Sequence, residues 1–394
     1  MRLLFVHSHM FKYYDGRVYS EGQFPYEILK ERYLRYFDQL IIAGRGEKVQ
    51  KTGKLNISSG PNVEHEILPN LSSLKHRRKK ILILQKRLKE LMYESDALVA
   101  RMPSVYGLYA IKIARNLNKP YVVEIVGDVF ESLWNHGSIF GKILAPYFYL
   151  KYKRIIAKAP YLIYVTKDYL QKKYPHNNNA ITIYASNVEI PGLSEEALNR
   201  RIQRIKKFNT TKTIKIGLIG SYASKYKGID TAIRSIKILK KRGFNCELHV
   251  LGSGDNKWLI NLTKDQCIEN NIVFAGSLPG GKAVLEWLDT MDIYVQPSLT
   301  EGLPRALIEA MSRALPCVGS YVGGIPELLD EKFLHTPKSE KELSIKLIEI
   351  IQNKTLMQEQ AIRNFLKARE YTSDVLNSRR KEFWATFIKK ELIQ

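Results

Sequence analysis

Cysteine is scarce: Cys246, Cys267 and Cys317 are the three thiols in 394 residues, an odd number with no close-spaced pair. That count and spacing suggest neither a disulfide framework nor a zinc site, and buried, reduced thiols are the expected reading. Long apolar runs are missing as well. No stretch approaches the roughly 18 residues of a membrane span, and the opening Met1-Arg2-Leu3-Leu4-Phe5-Val6-His7 turns polar too soon for a signal peptide, so a cytoplasmic chain is expected. Acidic residues are in short supply. They number 39 against 62 Lys and Arg, a net charge of +23, which calls for an anionic partner, an anionic surface or a strongly solvated exterior.

What is there is a chain long enough for two cores, with 45% hydrophobic and 26% charged residues, as in soluble globular proteins. Much of the basic excess is local. From Lys75 through Arg77, Arg78, Lys79, Lys80, Lys86, Arg87 and Lys89, cations interleave with Ile81, Leu82, Ile83, Leu84, Leu88 and Leu91, the pattern of a basic amphipathic helix. A second mix spans 147–158, where Tyr147, Phe148, Tyr149, Leu150 and Tyr152 alternate with Lys151, Lys153 and Arg154. Both suit the headgroup level of an anionic bilayer, and a solvated helix packed on a core by its leucines is the alternative.

Short buried strands are predicted at Leu3–His7, Leu40–Gly44, Ala97–Arg101, Tyr121–Val126 and Tyr161–Thr166, with helical periods between them. This rhythm predicts an α/β domain over residues 1–190, a parallel sheet covered on both faces. The polar stretch 191–212 reads as a linker. Alternation resumes at Ile214–Ile219, Cys246–Leu251, Ile272–Phe274, Ile293–Gln296 and Cys317–Gly319, a second doubly wound domain over 213–372. Residues 373–394 form a helical run with Phe383, Trp384 and Phe387, expected to pack back on the first domain.

Ligands of open parallel sheets sit beyond the carboxyl ends of the strands, so the turns into helices carry the chemistry. The most informative is Gln296-Pro297-Ser298-Leu299-Thr300-Glu301-Gly302-Leu303-Pro304-Arg305-Ala306-Leu307-Ile308-Glu309-Ala310-Met311. Pro304 suits a first helical turn, where its missing N–H has no intrahelical partner. Glu301 precedes that helix and Glu309 lies within it, so two carboxylates flank one helix start. A diphosphate can rest on the amides there while the acids accept hydrogen bonds from hydroxyls on either side.

This stretch resembles the signature of retaining glycosyltransferases of family 4, in which two glutamates with seven residues between them sit in a Pro-Ser, Glu-Gly, Glu-Ala-Met framework. Gly323-Gly324-Ile325-Pro326-Glu327 is similar to the family's Gly-Gly-x-Pro-Glu turn. The resemblance implies the GT-B architecture, two Rossmann-like domains facing each other across a cleft. It also implies that Glu301 holds hydroxyls of a donor sugar, Glu309 the ribose, and amides near Gly302 and Leu303 the phosphates of a nucleotide diphosphate. The turn 220–228 resembles the family's diphosphate-binding turn with Lys227-Gly228 kept, but Ser221 stands where relatives carry an Arg. Lys225 is the candidate to supply the missing cation. Gly252, Gly276 and Leu278 follow strands where the family turns beside the nucleotide base.

In the first domain the resemblance picks out Gly16, in a loop expected from Ser8 to Gly22, and Asp128, where many relatives have a His at the donor sugar. His7 and His9 are further polar candidates, and Ser186-Asn187-Val188 resembles the family's Asn-Gly-Val turn. No Asp-x-Asp pair occurs, so metal-independent transfer is expected, with no cofactor beyond the nucleotide sugar itself. The family implies a saccharide or lipid-linked saccharide acceptor in bacterial surface polysaccharide assembly. Two rivals are a nucleotide-sugar epimerase on the same fold and a basic nucleic-acid-binding protein. The second lacks a recognisable reader module, and no nucleic-acid partner is expected.

Overall fold

The computed structural model describes every residue except 22–23, 54, 72–75, 136–138, 189 and 394, so Gly22 and Lys75 lie outside the described residues. The chain divides into one unit of Met1–Val129, Pro146–Ala185 and Asn377–Gln394, and another of Phe130–Ala145 and Ser186–Leu376.

Apolar runs such as Leu3-Leu4-Phe5-Val6 and Leu40-Ile41-Ile42-Ala43 are buried on both faces, as central parallel strands must be. In the first unit they build β1 (Arg2–Tyr14), β3 (Gln39–Lys48), β5 (Val63–Ile67), β6 (Ala97–Met102), β7 (Tyr121–Ile125), β8 (Tyr161–Tyr164) and β9 (Ile181–Tyr184). These pair in parallel in the order β5-β3-β1-β6-β7-β8-β9, the order reversing between β1 and β6. Beyond Val6, β1 outruns β6, and its far end pairs antiparallel with β2 (Arg17–Ser20), which in turn pairs with β4 (Asn56–Ile57). The expected loop after His7 is therefore strand as far as Tyr14. Gly16 sits at the hairpin tip with φ +68°, next to Asp15 at φ 47°, the two left-handed residues of a tight two-residue hairpin. It lies on no helix start. Alternating aromatic residues Phe11 and Tyr13 suit a continued strand, which explains the difference.

Three helices of this region matter later: α1 (Arg77–Tyr93), α2 (Val105–Asn116) and α3 (Ile139–Ile156). Among the described residues no helix is long and apolar enough to cross a membrane.

The second unit opens with α4 (Glu195–Lys206), which replaces the expected linker. Ala197, Arg201 and Ile205 recur at helical spacing and are buried together, and the Arg201 guanidinium donates to the carbonyls of Met291 (2.6 Å), Leu288 and Arg313 (both 3.3 Å). An arginine at the centre of the inward stripe is what made the segment look like a solvated connection. Its sheet comprises β10 (Ile214–Ile219), β11 (Cys246–Leu251), β12 (Ile272–Gly276), β13 (Ile293–Gln296), β14 (Cys317–Ser320) and the short β15 (Leu334–His335). The parallel order β12-β11-β10-β13-β14-β15 is the doubly wound order with its switch point between β10 and β13. Helices α5 (Ile229–Lys241) and α6 (Arg305–Ser312) follow those two strands.

The last helix, α7 (Ser373–Glu391), puts Phe383, Trp384 and Phe387 into the core of the first unit. The Trp384 ring meets Phe37 edge-on at 5.3 Å, and Tyr161 donates to Glu391 at 2.8 Å.

Candidate active site

The strand order directs attention to the turns leaving β10 and β13, because a crevice opens where neighbouring strands send their helices to opposite faces. These two turns are stitched to each other. The Leu299 amide donates to the Tyr226 carbonyl at 2.7 Å, and a Cβ on Gly228 would stand 1.9 Å from the Pro297 carbonyl oxygen. Gly228 also has φ +68°, so no other residue fits the start of α5 without strain.

At the centre lies Glu301. Its Oε1 accepts from Lys227 Nζ at 2.8 Å, Ser298 Oγ at 2.8 Å and Gln296 Nε2 at 3.1 Å, while Tyr294 Oη donates to Gln296 Oε1 at 2.8 Å. The carboxylate is 10% exposed and the lysine 21%. Burial, the largest single influence, would lower the Lys227 ammonium, but the charge and hydrogen bond of Glu301 together with Tyr226 outweigh it and the group is held above its usual value, hence fully charged. Two separately predicted residues therefore form one hydrogen-bonded unit. A fixed cation next to a fixed anion can bind a phosphate with one and hydroxyls with the other.

The Gly323-Gly324 turn braces the same loop. The Gly324 amide donates to Gly302 O at 2.8 Å, and Gly323, at φ +56°, leaves 1.9 Å between a would-be Cβ and the Glu301 carbonyl oxygen. Gly302 and Leu303 thus form a tightly backed approach to α6, whose cap position is Pro304. Glu309 follows on that helix, opposite Arg305 at 3.6 Å. Burial raises its carboxyl above the usual range and Arg305 only partly offsets this. A half-desolvated acid of this kind gains most when hydroxyl donors arrive.

On the other side of the switch point, Ser221 Oγ donates to the Ser253 carbonyl at 3.1 Å, and Gly252 lets the ends of β10 and β11 touch: its Cβ would lie 2.0 Å from Gly220 O. The Gly252 amide donates to Gly276 O at 2.7 Å. Lys225 lies over the Trp258 ring at 5.7 Å, and Leu278 is exposed beyond β12. Tyr222, Gln296 and Ser298 were not singled out from sequence. Tyr222 is buried and receives the Gly276 amide on its hydroxyl at 2.9 Å, pinning the glycine turns together. The available signal was polarity at strand ends, where Gln296 and Ser298 interrupt apolar runs.

In the first unit, Asp128 is 0% exposed, accepting from Tyr174 Oη at 2.5 Å and Lys173 Nζ at 2.7 Å. Its carboxylate is committed to fixing the turn after β7. His7 and His9 lie beside the β1–β6 switch point with stacked rings 6.5 Å apart. Burial, then Arg101, keeps both neutral: His7 is pushed well down and His9 to about 4. Arg101, itself buried, lies over the Phe24 ring at 4.9 Å and 3.9 Å from Glu124.

Two doubly wound sheets, with an acid–lysine pair at the switch point of the second, define a glycosyltransferase of GT-B architecture. The chain belongs to the family described as glycosyl transferases group 1, which matches residues 213–353. It is 36% identical to Protein CapJ of Staphylococcus aureus over 373 residues, 92% of this chain and 90% of that one. The fold is that of HepE from Anabaena, solved in complex with UDP and glucose: TM-score 0.68 at 16% identity, covering 98% of this chain and 99% of HepE. WaaG, a glycosyltransferase involved in lipopolysaccharide biosynthesis, gives a TM-score of 0.64 at 16% identity over 98% and 99% of the two chains.

Proposed function

We propose that this glycosyltransferase moves a sugar from a nucleotide diphosphate donor to a saccharide or lipid-linked saccharide, with retention of configuration and without a metal, in the assembly of a surface polysaccharide. The single observation that carries the reading is the Lys227–Glu301 pair at 2.8 Å beside the Gly302-Leu303 approach to α6. In this reading the diphosphate lies on the amides at that helix start, with Lys227 neutralising charge as the bond to the sugar breaks. Glu301 accepts from sugar hydroxyls and Glu309 from the ribose. Gly252, Gly276 and Leu278 border the base, and Ser221 and Lys225 the phosphates. Asp128 acts as a positioning residue through Lys173 and Tyr174. HepE's complex with UDP and glucose, on the same fold, supports the donor class, and WaaG's role supports the setting.

An acceptor at the inner leaflet is favoured by α3, which leaves Ile139, Phe140, Ile143, Tyr147 and Leu150 exposed among lysines, the makeup of a surface that rests on an anionic bilayer. The decisive experiment is a panel of nucleotide sugars assayed by thermal shift and slow hydrolysis. One or two donors should raise Tm and release free nucleotide, whereas a flat panel at saturating concentration would remove the donor assignment.

A further inference from the structure

The largest cavity described in the first unit, about 910 Å³, is a groove between α1, α2 and α3. Its walls follow from helical spacing. Arg77, Ile81 and Gln85 repeat every four residues along α1; Leu108, Lys112 and Arg115 recur along α2; Tyr147, Lys151 and Ile155 recur along α3. Each helix thus contributes both a cation and an apolar side chain. Ile81, Leu108, Ile111, Phe148 and Ile155 make an apolar floor. Four cations stand on the walls, and among the described lining residues none is acidic.

Arg87, on another face of α1, is held by Glu66 at 2.8 Å and Glu90 at 3.0 Å. Among the described residues, none of Arg77, Lys112, Arg115 and Lys151 has an ion-pair partner within 4.0 Å; Lys151 only approaches the Tyr147 ring, at 5.7 Å. Four like charges around one hollow repel one another, and the cheapest relief is an anion shared among them. Next to the groove α1 exposes Leu82 (66%), which water does not favour. A site that gathers uncompensated positive charge around an apolar floor matches a ligand with a phosphate at one end and hydrocarbon at the other.

We infer that this groove seats the phosphate of a membrane lipid, with the upper part of its chain along Ile81, Leu108 and Phe148. The inference deepens the membrane reading of the function above, naming the point at which the bilayer is held. It is tested by binding alone, so that its failure leaves the donor chemistry standing and failure of the donor chemistry leaves it standing.

The full-length protein is titrated with phosphatidylcholine vesicles with and without phosphatidylglycerol, and with short-chain phosphatidate below its micelle concentration. Lys112→Gln with Arg115→Gln should weaken vesicle binding about tenfold or more, because it removes two of the four cations that converge on the groove. Arg78→Gln with Lys79→Gln removes the same charge from outside the groove and should change it less than about threefold if the site is local. Gln85→Trp, which adds bulk without altering charge, should abolish saturable phosphatidate binding. Donor hydrolysis by all these variants reports that they fold. Equal losses from the two double variants would reduce the effect to diffuse attraction and overturn the site. So would inorganic phosphate competing as well as phosphatidate, since the floor would then be idle.

Discussion

The two units share a sheet order and differ in what they place where that order reverses. In the second, the switch point carries a charged pair, a helix start and three glycine turns that let backbones touch. In the first it carries neutral histidines, a buried arginine and aromatic rings, and its free charge lies instead in a groove among helices. The contrast teaches that the two halves are built for different means of recognition. On the reading proposed above, one binds with main-chain amides and fixed ions, which demands close approach, and the other with side chains gathered from distant strands and helices.

The strongest way to break that contrast is to remove the fixed ion pair. Glu301→Gln should lower turnover about 10²- to 10³-fold, as loss of a preorganised charge at a reacting centre does, and should cost a few kcal/mol of stability because Lys227 is left buried and unpaired. Adding Lys227→Met should restore Tm but not activity. A double variant as unstable as Glu301→Gln alone would mean the pair is not a unit.

Acid sharpens the comparison from the other side. His9 and His65 titrate at about 4 in the folded chain, both chiefly through burial, against 6.5 when unfolded. Between those values the unfolded chain binds protons that the folded one refuses, so stability present above pH 6.5 is lost as pH falls toward 4. The loss is roughly 3 kcal/mol at most for either histidine. His7 adds to it in the same direction, and in the second unit burial lowers His335. Hydrogen exchange at pH 5 should therefore show protection falling first in β1, β3 and β5; earlier loss in β10–β14 would reverse the ranking.

Gly323→Ala tests whether close approach matters in the second unit. With a left-handed φ and 1.9 Å to the Glu301 carbonyl, the variant should lose about 2 kcal/mol. It should also lose activity beyond what its Tm explains, since Glu301 must shift, whereas Gly16→Ala at the open hairpin tip should spare activity. The smallest effect is at Glu309. Glu309→Gln should weaken nucleotide binding about tenfold. In the parent, affinity should fall on acidification with a midpoint above 4.5, because the carboxyl is raised and only its ionised form accepts from both ribose hydroxyls. A midpoint at or below 4.5 in calorimetric titrations would sink that assignment.

Legibility in the sequence follows the same divide. The second unit's site could be read because its parts lie within single turns: Pro304 marks a helix start, and Glu301 and Glu309 sit on either side of it. Lys227 was a candidate, yet its bond to Glu301 joins residues 74 apart and appears only once β10 and β13 are neighbours. Tyr222, which pins three glycine turns, is a plain aromatic in one dimension. In the first unit the apolar runs announced the central strands, but the continuation of β1 to Tyr14 depends on β2 and β4 beside it. Likewise Arg201 looks like linker until the carbonyls of Leu288, Met291 and Arg313 surround it. Basic residues at 75–89 and 147–158 were visible as composition, and the groove they share with α2 was not.

Trp384 has a bearing on how the molecule is made. The ring that fills the space beside Tyr33 and Phe37 is synthesised after the whole of the second unit, so the first-made half emerges from the ribosome with a hole in its interior. That half must wait, partly open, for its keystone. A chain interrupted anywhere before α7 exposes an apolar seam to chaperones and proteases, and newly made enzyme acquires both of its working halves at nearly the same moment.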